Sequence, residues 1–256
     1  MDEQLTIWKQ KSGVMIISIC NFKGGVAKTC SSMNIGAAMA NMGHKTLLID
    51  LDPQFNLSTS MGIVDPPTSI YDVLLHNADL PIHTLYDGLD IIPSSIDLNK
   101  AEVELAGQFK REEFLGKALQ AVESKYDYIL IDCPPSLGLL TINALVASDK
   151  IFVPVEAEYL ALKGYSVLEQ ALGQIGMTLD GIFVTKYDGR TVLHRDIVEA
   201  LREHAGERVF TTVIRTNIAI PEATANGTDI FRYNASCNGA KDYKLLTEEM
   251  IAHGKD

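Results

Sequence analysis

Short, mainly apolar runs recur along this 256-residue chain, at 14–20, 46–51, 89–92, 128–131, 151–155, 181–184 and 209–213. Runs of four to seven apolar residues without polar alternation are the mark of strands buried on both faces. Between them lie stretches with apolar residues three and four positions apart, the helical period. The clearest are 31–42, ending at Gly43, and 118–126 and 240–252. Strands alternating with helices predict an α/β fold, a mostly parallel twisted sheet with helices on both faces. Residues 1–13 read as a short polar lead containing the only tryptophan, Trp8, and residues 14–256 as a single domain.

Between the first strand and the first helix stands Lys23-Gly24-Gly25-Val26-Ala27-Lys28-Thr29. Strand, glycine-rich loop and helix is the context of a phosphate-binding loop: successive backbone N–H groups and the positive end of the helix converge on an anion. Lys28 is placed to reach the β- and γ-phosphates and Thr29 to offer its hydroxyl to Mg²⁺. Cys30, the next residue, is grouped with the nucleotide-binding positions. Lys23 has no evident task inside its own loop, so the loop carries one lysine more than phosphate binding needs.

Composition narrows the picture. With 46% hydrophobic and 21% charged residues the chain is neither disordered nor fibrous. No apolar run approaches the roughly 18 residues that span a bilayer, and the start, Met1-Asp2-Glu3-Gln4, lacks the layout of a secretion signal. The four cysteines, Cys20, Cys30, Cys133 and Cys237, are scattered, which argues against a disulfide framework or zinc site and for a reducing cytoplasm. A net charge of −11 disfavours nucleic acid unless basic groups gather on one face. The acidic excess sits in residues 1–180, leaving 181–256 the better source of such a face.

Two carboxylate sites fall at strand ends, where open α/β sheets place their ligands. Asp50 and Asp52 of Asp50-Leu51-Asp52-Pro53-Gln54 alternate along a strand and so point to one side. Asp132 ends the apolar run Ile129-Leu130-Ile131 and is suited to hold Mg²⁺ directly or through water. A further run, Thr185-Lys186-Tyr187-Asp188, has the form of a guanine reader, its Asp accepting from the base. Taken alone it would favour GTP.

These motifs, in this order, resemble the ParA/Soj family of deviant phosphate-loop ATPases. The loop resembles that family's KGGVGKT, Asp50 to Gln54 its DxDPQ, and Asp132-Cys133-Pro134-Pro135-Ser136-Leu137-Gly138 its DxPPSLG. Val155 to Tyr159 and Tyr187 to Thr191 resemble two later landmarks, so the likeness spans the chain from about residue 14. The resemblance implies ATP and Mg²⁺ as cofactors and a homodimer that forms on ATP. In it Lys23 crosses to the partner's nucleotide phosphates and Lys28 binds phosphate in its own chain. Asp52 positions the attacking water with Asp50 in support, and Thr29, Asp52 and Asp132 serve the metal. Glu158 becomes a cross-dimer contact to ribose or lysine, while Lys186, Arg215 and Asn217 attend the base. Family members use ATP despite a run of the Thr185–Asp188 type, which lowers the guanine reading.

Three departures stand out. Ala27 replaces the loop's last glycine, tolerable if its backbone keeps a negative φ; slower turnover is the expected cost. Phe55 replaces the glycine after Pro-Gln. In Val213-Ile214-Arg215-Thr216-Asn217-Ile218-Ala219, which resembles VIPRNVR, Thr216 and Ala219 stand where the family has arginines of a DNA-binding surface. Arg190, Arg215, Arg232 and Lys241, with Lys244, are the residues left to supply that surface. The implied function is segregation of plasmid or chromosome DNA by a nucleoid-bound cytoplasmic ATPase acting with a ParB-like partner. Alternatives are positioning of a protein cargo, a MinD-like membrane switch, for which the acidic C-terminal end is ill suited, an iron–sulfur carrier, which lacks clustered cysteines, and a scaffold that only binds nucleotide.

Overall fold

A computed structural model describes residues 13–254; the lead segment with Trp8 lies outside the described residues. Eight strands form one sheet: β1 (Met15–Ile19), β2 (Thr46–Asp50), β3 (His83–Tyr86), β4 (Leu89–Ile92), β5 (Tyr128–Asp132), β6 (Lys150–Glu156), β7 (Gly181–Tyr187) and β8 (Val209–Arg215). The helices are α1 (Lys28–Asn41), α2 (Asn56–Ser60), α3 (Ile70–His76), α4 (Leu98–Ala106), α5 (Phe114–Leu119), α6 (Leu139–Ala147), α7 (Ala161–Gln174), α8 (Val192–Ala205), α9 (Ala219–Ala225), α10 (Ile230–Asn234) and α11 (Asn238–His253).

Strand order is β3-β4-β2-β5-β1-β6-β7-β8, parallel throughout except where β3 runs antiparallel to β4. Every residue of β2 and β5 is buried, which is why the sequence shows apolar runs there instead of alternation. One face packs under α3–α8 through Leu47, Ile49, Ile131 and Val153. The other packs under α1 and α9–α11 through Ile17, Leu48, Leu130 and Phe152. Gly36 lets α1 approach closely: a Cβ there would stand 2.5 Å from Leu48 Cδ2.

The predicted alternation of strand and helix is therefore present, with two differences. The stretch 118–126 is not a helix; α5 ends at Leu119, and only one 3₁₀ turn follows at Glu123–Lys125. Leu115, Leu119 and Val122 still reach the core, because a loose turn preserves a spacing of three to four residues as well as a helix does. The sequence pattern also passes over β3, a short, half-buried edge strand.

At the opposite edge, β8 has no further strand beside it among the described residues. Carboxylates from α11 serve its main chain instead: Glu249 accepts from the N–H groups of Thr211 and Thr212, and Asp242 from that of Arg215. Charged groups on an edge strand satisfy its N–H groups and discourage pairing with another chain.

Candidate functional site

The centre of the sheet places β1 between β5 and β6, so the loop after β1 emerges at the C-terminal strand ends, where an open α/β sheet opens its ligand crevice. Asn21 anchors that loop, donating from Nδ2 to Pro154 O at 2.8 Å and accepting from the Lys23 N–H at 3.0 Å. Thr185 Oγ1 donates to Val26 O at 3.1 Å, fixing the loop from β7. Lys28 opens α1, and its Nζ curls back to donate to Lys23 O at 3.2 Å. Burial pulls the Lys28 pKa below its ordinary value, and the nearby carboxylates of Asp132 and Asp52 oppose that fall. A lysine held inside its own loop, with the loop's N–H groups around it, offers a phosphate both charge and hydrogen bonds.

Two loop residues adopt positive φ: Gly25 at 78° and Ala27 at 68°. The condition under which Ala27 is tolerable, a negative φ, is not met. The turn requires the left-handed conformation whichever residue occupies it, and alanine bears a steric cost there that glycine does not. Phe55 repeats the situation at φ 45°, as the residue before α2. Both departures from the family's glycines thus sit in the conformation glycine favours.

Behind the loop, Asp132 is fully buried and accepts from Thr29 Oγ1 at 2.8 Å and from Ser32 Oγ at 2.9 Å. Burial, then the neighbouring Asp50 carboxylate, raise its pKa to about 7, against the lowering pull of Thr29, Ser32 and Lys28. Asp50 is equally buried and is raised by burial to about 6. It spends its carboxylate on the main chain that follows, accepting from Asp52 N, Ser58 N and Ser58 Oγ. Asp52 is 6% exposed, accepts from Gln54 N at 2.9 Å, and borders a cleft of about 260 Å³ with Pro134, Pro135 and Ser136. Thr29 and Asp132 are bonded to each other, and the charges of Asp132 and Asp52 both act on Lys28; their hard oxygen atoms are of the kind Mg²⁺ takes.

On the other side of the loop an apolar cavity of about 230 Å³ is lined by Ala27, Cys30, Lys186, Arg215, Asn217 and Tyr243, among others. The residues assigned to the base in the sequence are therefore together. Arg215 is locked by Asp242, Nη2 to Oδ1 at 2.6 Å. Asn217 Oδ1 accepts from Ala219 N, and Lys186 pairs with Glu156 at 3.1 Å. Asp188 does not line this cavity. Its carboxylate accepts from Arg190 N, Nε and Nη2, and those bonds hold its pKa down at about 2. The guanine reading thereby loses its acceptor.

Lys23 and Glu158, both about half exposed at the rim, form an ion pair within one chain. The candidate DNA residues are dispersed. Arg190, 91% exposed at its side chain, follows β7 and pairs with Asp188. Arg232 lies on the far edge, paired with Asp229 and stacked over Tyr86 of β3. Arg215 belongs to the cavity, and Lys241 lies exposed on α11. Sequence reasoning missed Asn21, Ser32, Ser58, Ser94, Asp242 and Tyr243. Short polar side chains carry no pattern until their partners, often more than thirty residues away, are known.

Residues 14–182 match the AAA_31 family, an AAA domain. The chromosome-partitioning ATPase Soj of Treponema pallidum is 42% identical over 245 residues, which cover 91% of this chain and 95% of that protein. Cobyrinic acid a,c-diamide synthase of Mycobacterium smegmatis, crystallised with an ATP analogue and magnesium, superposes with a TM-score of 0.83 at 30% identity, covering 95% of this chain and 96% of that one. A putative plasmid partition protein of Borrelia burgdorferi bound to AMPPNP gives 0.80 at 25% identity, covering 93% and 98%. With the two-lysine loop, the buried acids behind it and the adjoining cavity, these likenesses assign the chain to the ParA/Soj family of partitioning ATPases.

Proposed function

We propose that this chain is a Mg²⁺-dependent ATPase that dimerises on ATP, binds DNA without sequence preference, and is released when a ParB-like partner stimulates hydrolysis. The observation that carries this reading is the division of the two loop lysines: Lys28 is buried against its own loop, and Lys23 stands at the rim, paired with Glu158. A rim lysine is free to leave a half-exposed pair, worth well under 1 kcal/mol in water, for the phosphates of a partner's nucleotide.

In this reading Lys28 and the N–H groups of Gly24 to Thr29 hold the phosphates. Cys30, Lys186, Arg215, Asn217 and the ring of Tyr243 enclose the adenine, and Thr29 with Asp132 and Asp52 hold Mg²⁺. The metal supplies neutralisation of the phosphate charge. Asp52 orients the attacking water, Asp50 fixes the backbone that carries Asp52, and Lys23 of the second copy meets the charge that develops on the transferred group, as a cation supplied in trans does. Glu158 guides Lys23 before dimerisation and contacts ribose or lysine across the interface after it.

The DNA surface rests on Arg190, Arg215, Arg232 and Lys241, of which Arg190, Arg215 and Arg232 are paired with Asp188, Asp242 and Asp229. Residues so dispersed and so largely paired make few phosphate contacts, so binding is weak, and it falls with salt with a slope set by that small number of contacts. The protein acts in the cytoplasm on the nucleoid, and its cargo is plasmid or chromosome DNA. The test is a gel shift with random duplex DNA, with and without Mg²⁺ and a non-hydrolysable ATP analogue, at two salt concentrations. A nucleotide-dependent shift that weakens with salt is expected; no shift under any condition would leave the family's ATPase working on a cargo other than DNA.

A further inference from the structure

Among the described residues the Asp52 carboxylate accepts one hydrogen bond, from the N–H of Gln54. Its aim is therefore set by where its backbone is held, and that backbone is fixed at both ends. Asp52 N donates to Asp50 Oδ1 at 3.2 Å, and Asp52 O accepts from Phe55 N and from Ser94 Oγ, each at 2.8 Å. Among the described residues Ser94 is the one group outside the 50–58 segment that hydrogen-bonds to Asp52. It also donates its own N–H to Ser58 Oγ at 2.9 Å, and Ser58 Oγ donates to Asp50 Oδ2 at 2.7 Å. The bonds close a ring: Asp50, Ser58, Ser94, Asp52. All four residues are at most 6% exposed. Donor directions around the ring are unique when Asp50 is ionised, since its carboxylate only accepts.

We propose that Ser94, acting with Ser58, is a positioning residue for hydrolysis, holding the Asp52 carbonyl so that the Asp52 carboxylate faces the attacking water. This rests on the reading of Asp52 as the water-orienting group. The segment has reason to drift without such a grip, because Phe55 sits at φ 45° directly after Asp52-Pro53-Gln54. A displacement of about 1 Å in a catalytic group costs on the order of a hundredfold in rate. Ser94 does not line the base cavity, and its route to the site runs through Asp52.

The experiment compares Ser94→Ala, Ser94→Thr, Asp52→Ala and the double variant Ser94→Ala/Asp52→Ala. Single-turnover hydrolysis and the affinity for a fluorescent ATP analogue with Mg²⁺ are measured for each, with circular dichroism as the check on folding. Ser94→Ala is expected to slow hydrolysis about ten- to a hundredfold, with affinity unchanged within about twofold. Ser94→Thr, which keeps the hydroxyl, should recover a large part of the rate, and Ser94→Ala should add nothing in the Asp52→Ala background. Should Asp52→Ala hydrolyse normally, the underlying reading of Asp52 falls. Should Asp52→Ala be slow while Ser94→Ala is normal, or the two defects multiply, the positioning role of Ser94 falls and that of Asp52 stands. A Ser94→Ala protein that loses affinity and keeps its rate also overturns the proposal.

Discussion

Lys28 Nζ donates to the main-chain carbonyl of Lys23 at 3.2 Å, while the Lys23 side chain turns away to Glu158. Two lysines five residues apart are thereby sorted into one that fills the loop and one that leaves it. The carbonyl of Lys23 holds the loop's other lysine, and its ammonium group pairs with Glu158 at the rim. This separation of main chain from side chain gives the extra lysine a physical meaning that the sequence could only suggest.

The left-handed alanine in the same loop makes a stability prediction. Replacing Ala27 by glycine removes the clash that a Cβ incurs at φ 68°, worth about 1–2 kcal/mol, and gives back part of it as unfolded-chain entropy. Ala27→Gly should stabilise the nucleotide-free protein by roughly 0.5–1 kcal/mol in urea unfolding. A loss of stability would mean that the turn is not strained as built.

Asp50 and Asp132 predict an unusual pH response. Both hold a proton more tightly in the folded chain, to about 6 and about 7, than at their ordinary 3.8. The stability they contribute is whole below the ordinary value and is lost as pH rises through the raised ones. Without nucleotide or metal, the protein should lose roughly 1–3 kcal/mol of unfolding free energy between about pH 5.5 and pH 8. Asp132→Asn should flatten that slope. A stability that climbs over this range would contradict the burial of the two acids.

At the sheet edge, Glu249 is the sole acceptor for the N–H groups of Thr211 and Thr212 among the described residues. Glu249→Ala should cost about 0.5–1 kcal/mol, since both N–H groups lie where water can reach them. It should also raise self-association on heating, followed by light scattering, because β8 then offers an unguarded edge. An unchanged melting temperature and no added scattering would show that water replaces the carboxylate without loss.

The fold was legible because its central strands are buried on both faces and cannot disguise themselves. Apolar runs such as 128–131 have few alternatives in a chain of this length. The phosphate loop and Asp52 were legible for another reason: rare residue types stand at fixed spacing beside strand ends. What stayed hidden depends on tertiary placement. Ser94 and Ser58 are two of many serines until Asp50 and Asp52 are seen between them. Arg215 reads as a surface cation until Asp242, on α11, takes hold of it. Ala27 looked tolerable because φ is set by the turn, and a sequence shows the residue without the angle. The end of α5 misled because apolar spacing of three to four residues is shared by helices and by tight turns.

Lys23→Ala tests the account most directly, measured by sedimentation with Mg²⁺ and a non-hydrolysable ATP analogue alongside the unaltered chain. The unaltered chain should sediment as a dimer and Lys23→Ala as a monomer, while Lys23→Ala still binds the analogue with affinity within about threefold, a difference below 1 kcal/mol. A Lys23→Ala protein that remains a nucleotide-dependent dimer would show that the rim lysine does not serve a partner's site.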